Sequence, residues 1–213
     1  MTINQILHIP AQMLSILLYP LWIPTYGMML FCLSLRGMGL PLPIGYTMLL
    51  IGSTFCLTAV VPLLIILYLK KKGMISDLYI DKAEERTLPY LFTAGCYAVW
   101  WSFMHHQLHM PPTLCLIAVG AVIAIAAVAL INRQWKISAH LTGWGGLMGG
   151  IAAYYLSISH MPSLLWMSVL MGLSLLLMYA RIYMQAHTPL QVVTGWLLGI
   201  MTTFIPNLLL HYA

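Results

Sequence analysis

The stretch ARIYMQAHTPLQVVTGWLLG, residues 180–199, joins two hydrophobic runs and sets Arg181, His187 and Gln191 at the junction. A helix needs about 20 mostly apolar residues to cross a bilayer. Ionisable groups at or inside a bilayer are costly, so they point to function. The chain has few to spare, with nine Lys and Arg and four Asp and Glu among 213 residues, 62% of them hydrophobic. Soluble domains carry about a quarter charged residues, so this is the composition of an integral membrane protein. The net charge of +5 calls for no nucleic-acid partner.

Working outward from the junction, hydrophobic runs place spans near 10–35, 44–69, 88–108, 111–132, 139–158, 162–181 and 189–211. The expectation is an all-α, multi-pass transmembrane bundle of six to seven spans, a single domain over 1–213. MTINQILHIPAQML has no Lys or Arg before its apolar run and reads as the approach to a first span, unlike a cleavable signal peptide. Pro20 and Pro24 are kinks of the kind that neighbouring membrane helices accommodate. Cys32, Cys56, Cys96 and Cys115 lie in apolar runs and read as small buried hydrophobes, not as disulfides or zinc ligands. His105 and His109 have the i,i+4 spacing of a metal pair. No carboxylate or cysteine accompanies them, so interfacial polarity is expected and a metal is not. GWGGLMGG, 143–150, offers small residues at four-residue spacing for close helix packing.

Two further polar places stand out, KKKGMISDLYIDKAEERTLP (70–89) and NRQWKISAH (132–140). Two spans separate the first from the second, and two more separate the second from the Arg181–His187 junction. An even number of crossings returns the chain to one face, so all three share a side of the membrane. Eight of the nine basic residues fall there, and only Arg36 lies opposite. The positive-inside rule makes that face cytoplasmic.

The groups gathered on this face are those that phosphoryl chemistry uses. The guanidiniums of Arg86 and Arg181 offer planar forks that match phosphate oxygens, and the Ser138 hydroxyl offers another donor. The imidazoles of His140 and His187 can divide the labour, one attacking phosphorus and the other protonating the leaving oxygen. The plainer alternatives are snorkelling at helix ends for Arg181 and His187, capping of the fifth span by Ser138, and loop charge balance for Arg86.

These residues resemble the motifs of the type-2 phosphatidic acid phosphatase superfamily, which includes bacterial acid phosphatases and vanadium haloperoxidases. Its third motif, Ser-Arg, five residues, His, three residues, Asp, is matched in spacing by Arg181, His187 and Gln191. Ser138-Ala139-His140 resembles the second motif, Pro-Ser-Gly-His. Arg86 with Pro89 resembles the first, Lys, six residues, Arg-Pro, with two extra residues before the proline. The resemblance spans about 70–200. It implies a phosphatase-like core in which His187 is the nucleophile, His140 the general acid, and Arg86, Ser138 and Arg181 the phosphate ligands. It implies a lipid phosphate substrate from the bilayer and no cofactor. Bacterial relatives work at the outer surface of the inner membrane, so an inner membrane is the expected location, though the charge count sets this face inside.

The chain departs from the pattern in three places. Gln191 stands where the family has Asp, close to His187 in the first turn of the last span. Its oxygen can orient the ring without balancing an imidazolium, and the same exchange in a serine-protease triad costs about 10⁴-fold in rate. Asp81 or Glu85 is a possible substitute. Tyr79 aligns with the family lysine, whose charge Lys136 or Lys82 would supply, Lys136 being favoured. Ala180 replaces the family's Ser. The departures leave a second function open, a catalytically weak or inactive relative that binds or translocates a phospholipid. In a background without the native cysteines, Ser76→Cys or a cysteine beside Arg133 should react with an impermeant thiol reagent only after cells are opened. Labelling of intact cells would reverse the orientation.

Overall fold

The computed structural model describes residues 3–77 and 83–212, which form helices and the turns between them, without strands. The helices are α1 (Ile3–Leu17), α2 (Ile23–Gly37), α3 (Ile44–Phe55), α4 (Val61–Lys71), α5 (Ala83–His106), α6 (Pro112–Ile131), α7 (Ala139–Ser157), α8 (Leu164–Tyr183) and α9 (Pro189–Tyr212). One π-turn, Cys56–Val60, links α3 to α4 in a continuous rod. Five segments are long and apolar enough to cross a membrane: His8–Gly37, Ile44–Lys71, Pro112–Ile131, Leu164–Tyr183 and Pro189–Tyr212. This is an integral membrane bundle.

α5 and α7 are as long but less apolar, and for α7 the reason is position. It packs against α2, α6, α8 and α9, so it needs no lipid-facing stripe. Trp144, Gly145, Leu147, Met148, Gly149 and Gly150 are all buried along it. Outer helices instead turn large apolar side chains outward, among them Leu164, Leu175 and Leu209. Cys56 is exposed on the outer surface, and Cys32 and Cys96 are half-buried, so only Cys115 is the buried hydrophobe expected of all four.

The first hydrophobic run forms one segment long and apolar enough to cross a membrane, broken at Pro20 into two helices. α1 stops before a short 3₁₀ turn, Pro20–Trp22, because Pro20 lacks the N–H that would continue the ladder. A helix C-terminus leaves its last four carbonyls without intrahelical donors. Side chains satisfy them here. Ser15 O accepts from His140 Nε2 at 3.2 Å, Ile16 O from Trp22 Nε1 at 3.2 Å, Leu17 O from Tyr26 Oη at 2.8 Å, and Leu18 O from Trp144 Nε1 at 3.3 Å. Two of those donors belong to α7.

α7 and α9 form the most extensive pair and run parallel. The Ser138 N–H donates to Gln191 O at 3.3 Å where both begin, and the Thr203 hydroxyl donates to Gly146 O at 3.0 Å farther along. Glycine permits the approach. A Cβ at Gly199 would run into the Thr142 carbonyl, one at Gly145 into the Trp196 carbonyl, and one at Gly195 would lie 2.7 Å from Ser138 O. Overpacking of this kind costs about 1–3 kcal/mol. Gly199→Ala should therefore lower the thermal unfolding midpoint in detergent. Gly172→Ala on α8, whose Cβ meets nothing within 4 Å, should leave it unchanged or slightly raised.

Candidate functional site

Two locked helix ends hold the junction that opens the sequence argument. α8 closes with Gln185 in the left-handed region at φ 54°. Ala186 N donates to Arg181 O at 3.1 Å and Gln185 N to Ile182 O at 2.9 Å, the paired bonds of a Schellman ending. A non-glycine residue there costs about 1–2 kcal/mol. α9 opens two residues later on a capping box. Thr188 N donates to Gln191 Oε1 at 3.1 Å and Gln191 N to Thr188 Oγ1 at 3.4 Å, with Pro189 in the first turn. His187 is the single residue between these fixed ends.

Its ring is oriented by a backbone group. His187 Nδ1 lies 3.1 Å from Lys136 O. A carbonyl only accepts, so Nδ1 carries the proton and Nε2 keeps its lone pair. Sequence reasoning gave this orienting role to Gln191, but the Gln191 oxygen is engaged with the Thr188 N–H that caps α9. Its side chain still lies beside the ring and favours the protonated form slightly. Glu85, the suggested substitute carboxylate, accepts from Ser76 N at 2.6 Å and Ser76 Oγ at 2.8 Å. Asp81 and Lys82 lie outside the described residues. Burial first, then the positive charge of Arg181 and more weakly that of Lys136, pulls the His187 pKa from 6.5 down to about 4. The ring is neutral at pH 7.

Ser138 occupies the position before α7, where capping was the plain expectation, yet its hydroxyl makes no capping bond. Its side chain is fully buried, and Oγ has no hydrogen-bond partner among the described residues. Such an orphan costs about 1–3 kcal/mol and calls for an explanation. His140, two residues on, packs edge-on against Tyr19 with ring centroids 5.3 Å apart. The charge of Arg181 acts on both imidazoles.

Arg86 is buried in the first turn of α5. Its Nη1 donates to Asn132 Oδ1 at 3.3 Å, and Asn132 Nδ2 donates to Val128 O at 2.9 Å, which fixes the amide with its oxygen toward the guanidinium. Tyr90, one turn on, lies within electrostatic reach of Arg86, Arg181 and Tyr19. Arg86, Lys136, His140 and Arg181 thus line one cavity of about 1320 Å³, while Ser138 and His187 are not among its lining residues, though their chain neighbours Ala139 and Ala186 are. No carboxylate lines it among the described residues. From this cationic end it continues between α2, α7 and α8 past Phe31, Leu147, Ile151 and Leu170 to Trp166.

Asn132, Tyr90 and Tyr19 escaped the sequence reading. Asn132 closes an apolar run, and Tyr90 follows Pro89 of the first motif-like segment, so each had a faint positional signal. No family model, curated protein or solved structure matches the chain. In histidine-labelled protein, NMR should find one imidazole titrating near 4, absent in His187→Ala. Arg181→Gln should move that midpoint upward by removing the nearest positive charge. An unmoved midpoint would separate Arg181 from the ring.

Proposed function

We propose that the protein is a membrane phosphohydrolase that removes phosphate from a lipid phosphate or diphosphate. In this reading six to seven helical spans include a phosphatase-like core over about 70–200, set in a bacterial inner membrane with the site on the cytoplasmic face. The observation that carries the proposal is the two-part cavity: Arg86, Lys136 and Arg181 at one end and an apolar channel leading away within the bundle. A phosphoryl group would accept hydrogen bonds at the cationic end, and an isoprenoid or acyl chain would fill the channel. Ligand pockets are commonly about 300–1,000 Å³ and mostly apolar with a few convergent polar groups, so this one has room for a long-chain substrate.

His187 Nε2 attacks phosphorus, the bond from phosphorus to the lipid oxygen breaks, and His140, entering the step with a second proton on Nδ1 while Nε2–H stays on Ser15 O, gives the Nδ1 proton to that oxygen and becomes neutral. Water, giving a proton back to His140, then attacks the phosphohistidine, and the phosphorus–nitrogen bond breaks to release inorganic phosphate. Arg86, Arg181, Lys136 and the unpartnered Ser138 hydroxyl hold the oxygens whose charge grows in each step. The positive ends of the parallel helices α7 and α9 add to this field.

Gln191 favours the second function, a phosphatase-like protein that binds or translocates a phospholipid without efficient turnover. No carboxylate accompanies the His187 ring among the described residues. Purified protein should release phosphate from at least one member of a panel of prenyl and glycerolipid phosphates, and His187→Ala should reduce release at least 10³-fold, on the order of losing a nucleophile. Release that survives His187→Ala would sink the mechanism. Gln191→Asp should raise turnover if imidazolium stabilisation limits the rate. Headgroup binding that weakens in Arg181→Ala, with no turnover from any lipid, would establish the binding protein instead.

A further inference from the structure

Asn132 ends the apolar run of α6, and nothing in its backbone asks for an asparagine. Asparagine at a helix end usually serves a left-handed cap. Asn132 instead has φ −63° and ψ −11°, a helical conformation open to any side chain. Nor does it face water, since the residue is only 3% exposed. Asparagine is mostly exposed in folded proteins, so its burial here is explained by what the amide holds. A buried amide has a donor half and an acceptor half, and both need partners. The donor half stays local, with Nδ2 on Val128 O at 2.9 Å. The acceptor half reaches back 46 residues, with Oδ1 taking a hydrogen bond from Arg86 Nη1 at 3.3 Å.

The segment that carries Asn132 is firmly held. Asn132, Arg133, Gln134 and Trp135 turn their N–H groups back onto Val128 O, Leu130 O and Ile131 O, and Ile137 N donates to Trp135 O at 2.8 Å. Ile137 is buried, and Ser138 N is bonded to Gln191 O in the first turn of α9. Between these fixed ends the segment presents Lys136 O to His187 Nδ1. One short connection therefore holds the guanidinium of α5 with a side chain and the imidazole before α9 with its backbone. Arg86 lines the cavity and Asn132 does not, so Asn132 stands behind the cation and away from any ligand.

We propose that Asn132 is a positioning residue that aims Arg86 at the phosphate. This rests on the assignment of the cationic end to a phosphoryl group and adds a residue that the family motifs do not contain. A guanidinium matches two oxygens of an anion only while its planar fork is held in one orientation. The Asn132 amide, itself pinned through Val128 O, fixes that orientation through Nη1. An amide oxygen does so without adding a negative charge. A carboxylate at the same position would offer the same acceptor, but its charge would compete with the phosphate for the guanidinium.

The test is a double-mutant cycle on the full-length protein in detergent, with inorganic phosphate as the probe and its dissociation constant as the readout. Asn132→Leu keeps the volume and removes the acceptor. It should weaken phosphate binding about tenfold, on the scale of one hydrogen bond to a charged group. In an Arg86→Ala background the same substitution should change affinity by less than about twofold, because Asn132 acts through Arg86. Asn132→Gln, which keeps the amide, should recover part of the affinity, and Asn132→Ala runs the same cycle if the leucine variant does not fold. Wild-type affinity in Asn132→Leu, or the same loss repeated without Arg86, would overturn the positioning role. A second readout does not depend on phosphate. In arginine-labelled protein, NMR should find slow rotation about the Cζ–Nη1 bond of Arg86, and faster rotation in Asn132→Leu. If the wild-type protein binds no phosphate, the phosphate site fails on its own. Faster rotation in the variant would still show that Asn132 holds Arg86, and unchanged rotation would overturn it.

Discussion

The contact between α7 and α9 is the constraint on which the rest of the structure depends. Glycine at the crossing lets one helix backbone meet the carbonyls of the other, and the parallel direction puts both N-termini at one end. His187 precedes one of those ends, while Ser138 and His140 begin the other. Two positive helix ends then share a small volume with Arg86, Lys136 and Arg181.

The break in the first hydrophobic run serves the same place. A continuous helix through residues 8–37 would need no outside donors for its middle carbonyls. Pro20 ends α1 and exposes four of them, and His140 and Trp144 of α7 supply two of the missing donors. The break thereby ties α1 to the start of α7. It also settles the His140 tautomer in this arrangement, because a carbonyl at Nε2 requires the proton there. Nδ1 is then the nitrogen with a lone pair to trade.

The apolar runs predict the positions of the long helices closely, and five segments are long and apolar enough to cross a membrane. The run near 139–158 corresponds to α7 over Ala139–Ser157, and the run near 189–211 to α9 over Pro189–Tyr212. The division of the first run was less legible. Pro20 signals a kink, but the donors that turn it into a helix end lie over 100 residues away in sequence. In the site, spacing was enough to draw Arg86, Lys136, His140 and Arg181 to one place. Orientation was not. The group that fixes His187 is a main-chain carbonyl, which has no side-chain signature, and Thr188-Pro-Leu-Gln191 carries a local capping pattern that competes with the ring for the same amide oxygen. Ser138 shows the converse, since its residue type and position announce a cap that its hydroxyl does not make.

Gln191 weighs less against turnover than its place in the motif suggests. In a proton-relay triad the carboxylate balances an imidazolium that appears as the nucleophile is deprotonated. In the proposed mechanism His187 takes a different route, as the nucleophile itself. Its positive charge arises only when Nε2 bonds to phosphorus, and the phosphoryl oxygens bring negative charge at the same moment. What the ring needs beforehand is a neutral Nε2 and a fixed tautomer. Burial and the Arg181 charge keep it unprotonated, and Lys136 O holds the proton on Nδ1. A carboxylate behind the ring would raise the proton affinity that this arrangement suppresses. The price of Gln191 falls on stabilising the ring once phosphorylated, where Arg86, Arg181 and Lys136 already hold the other side of the charge.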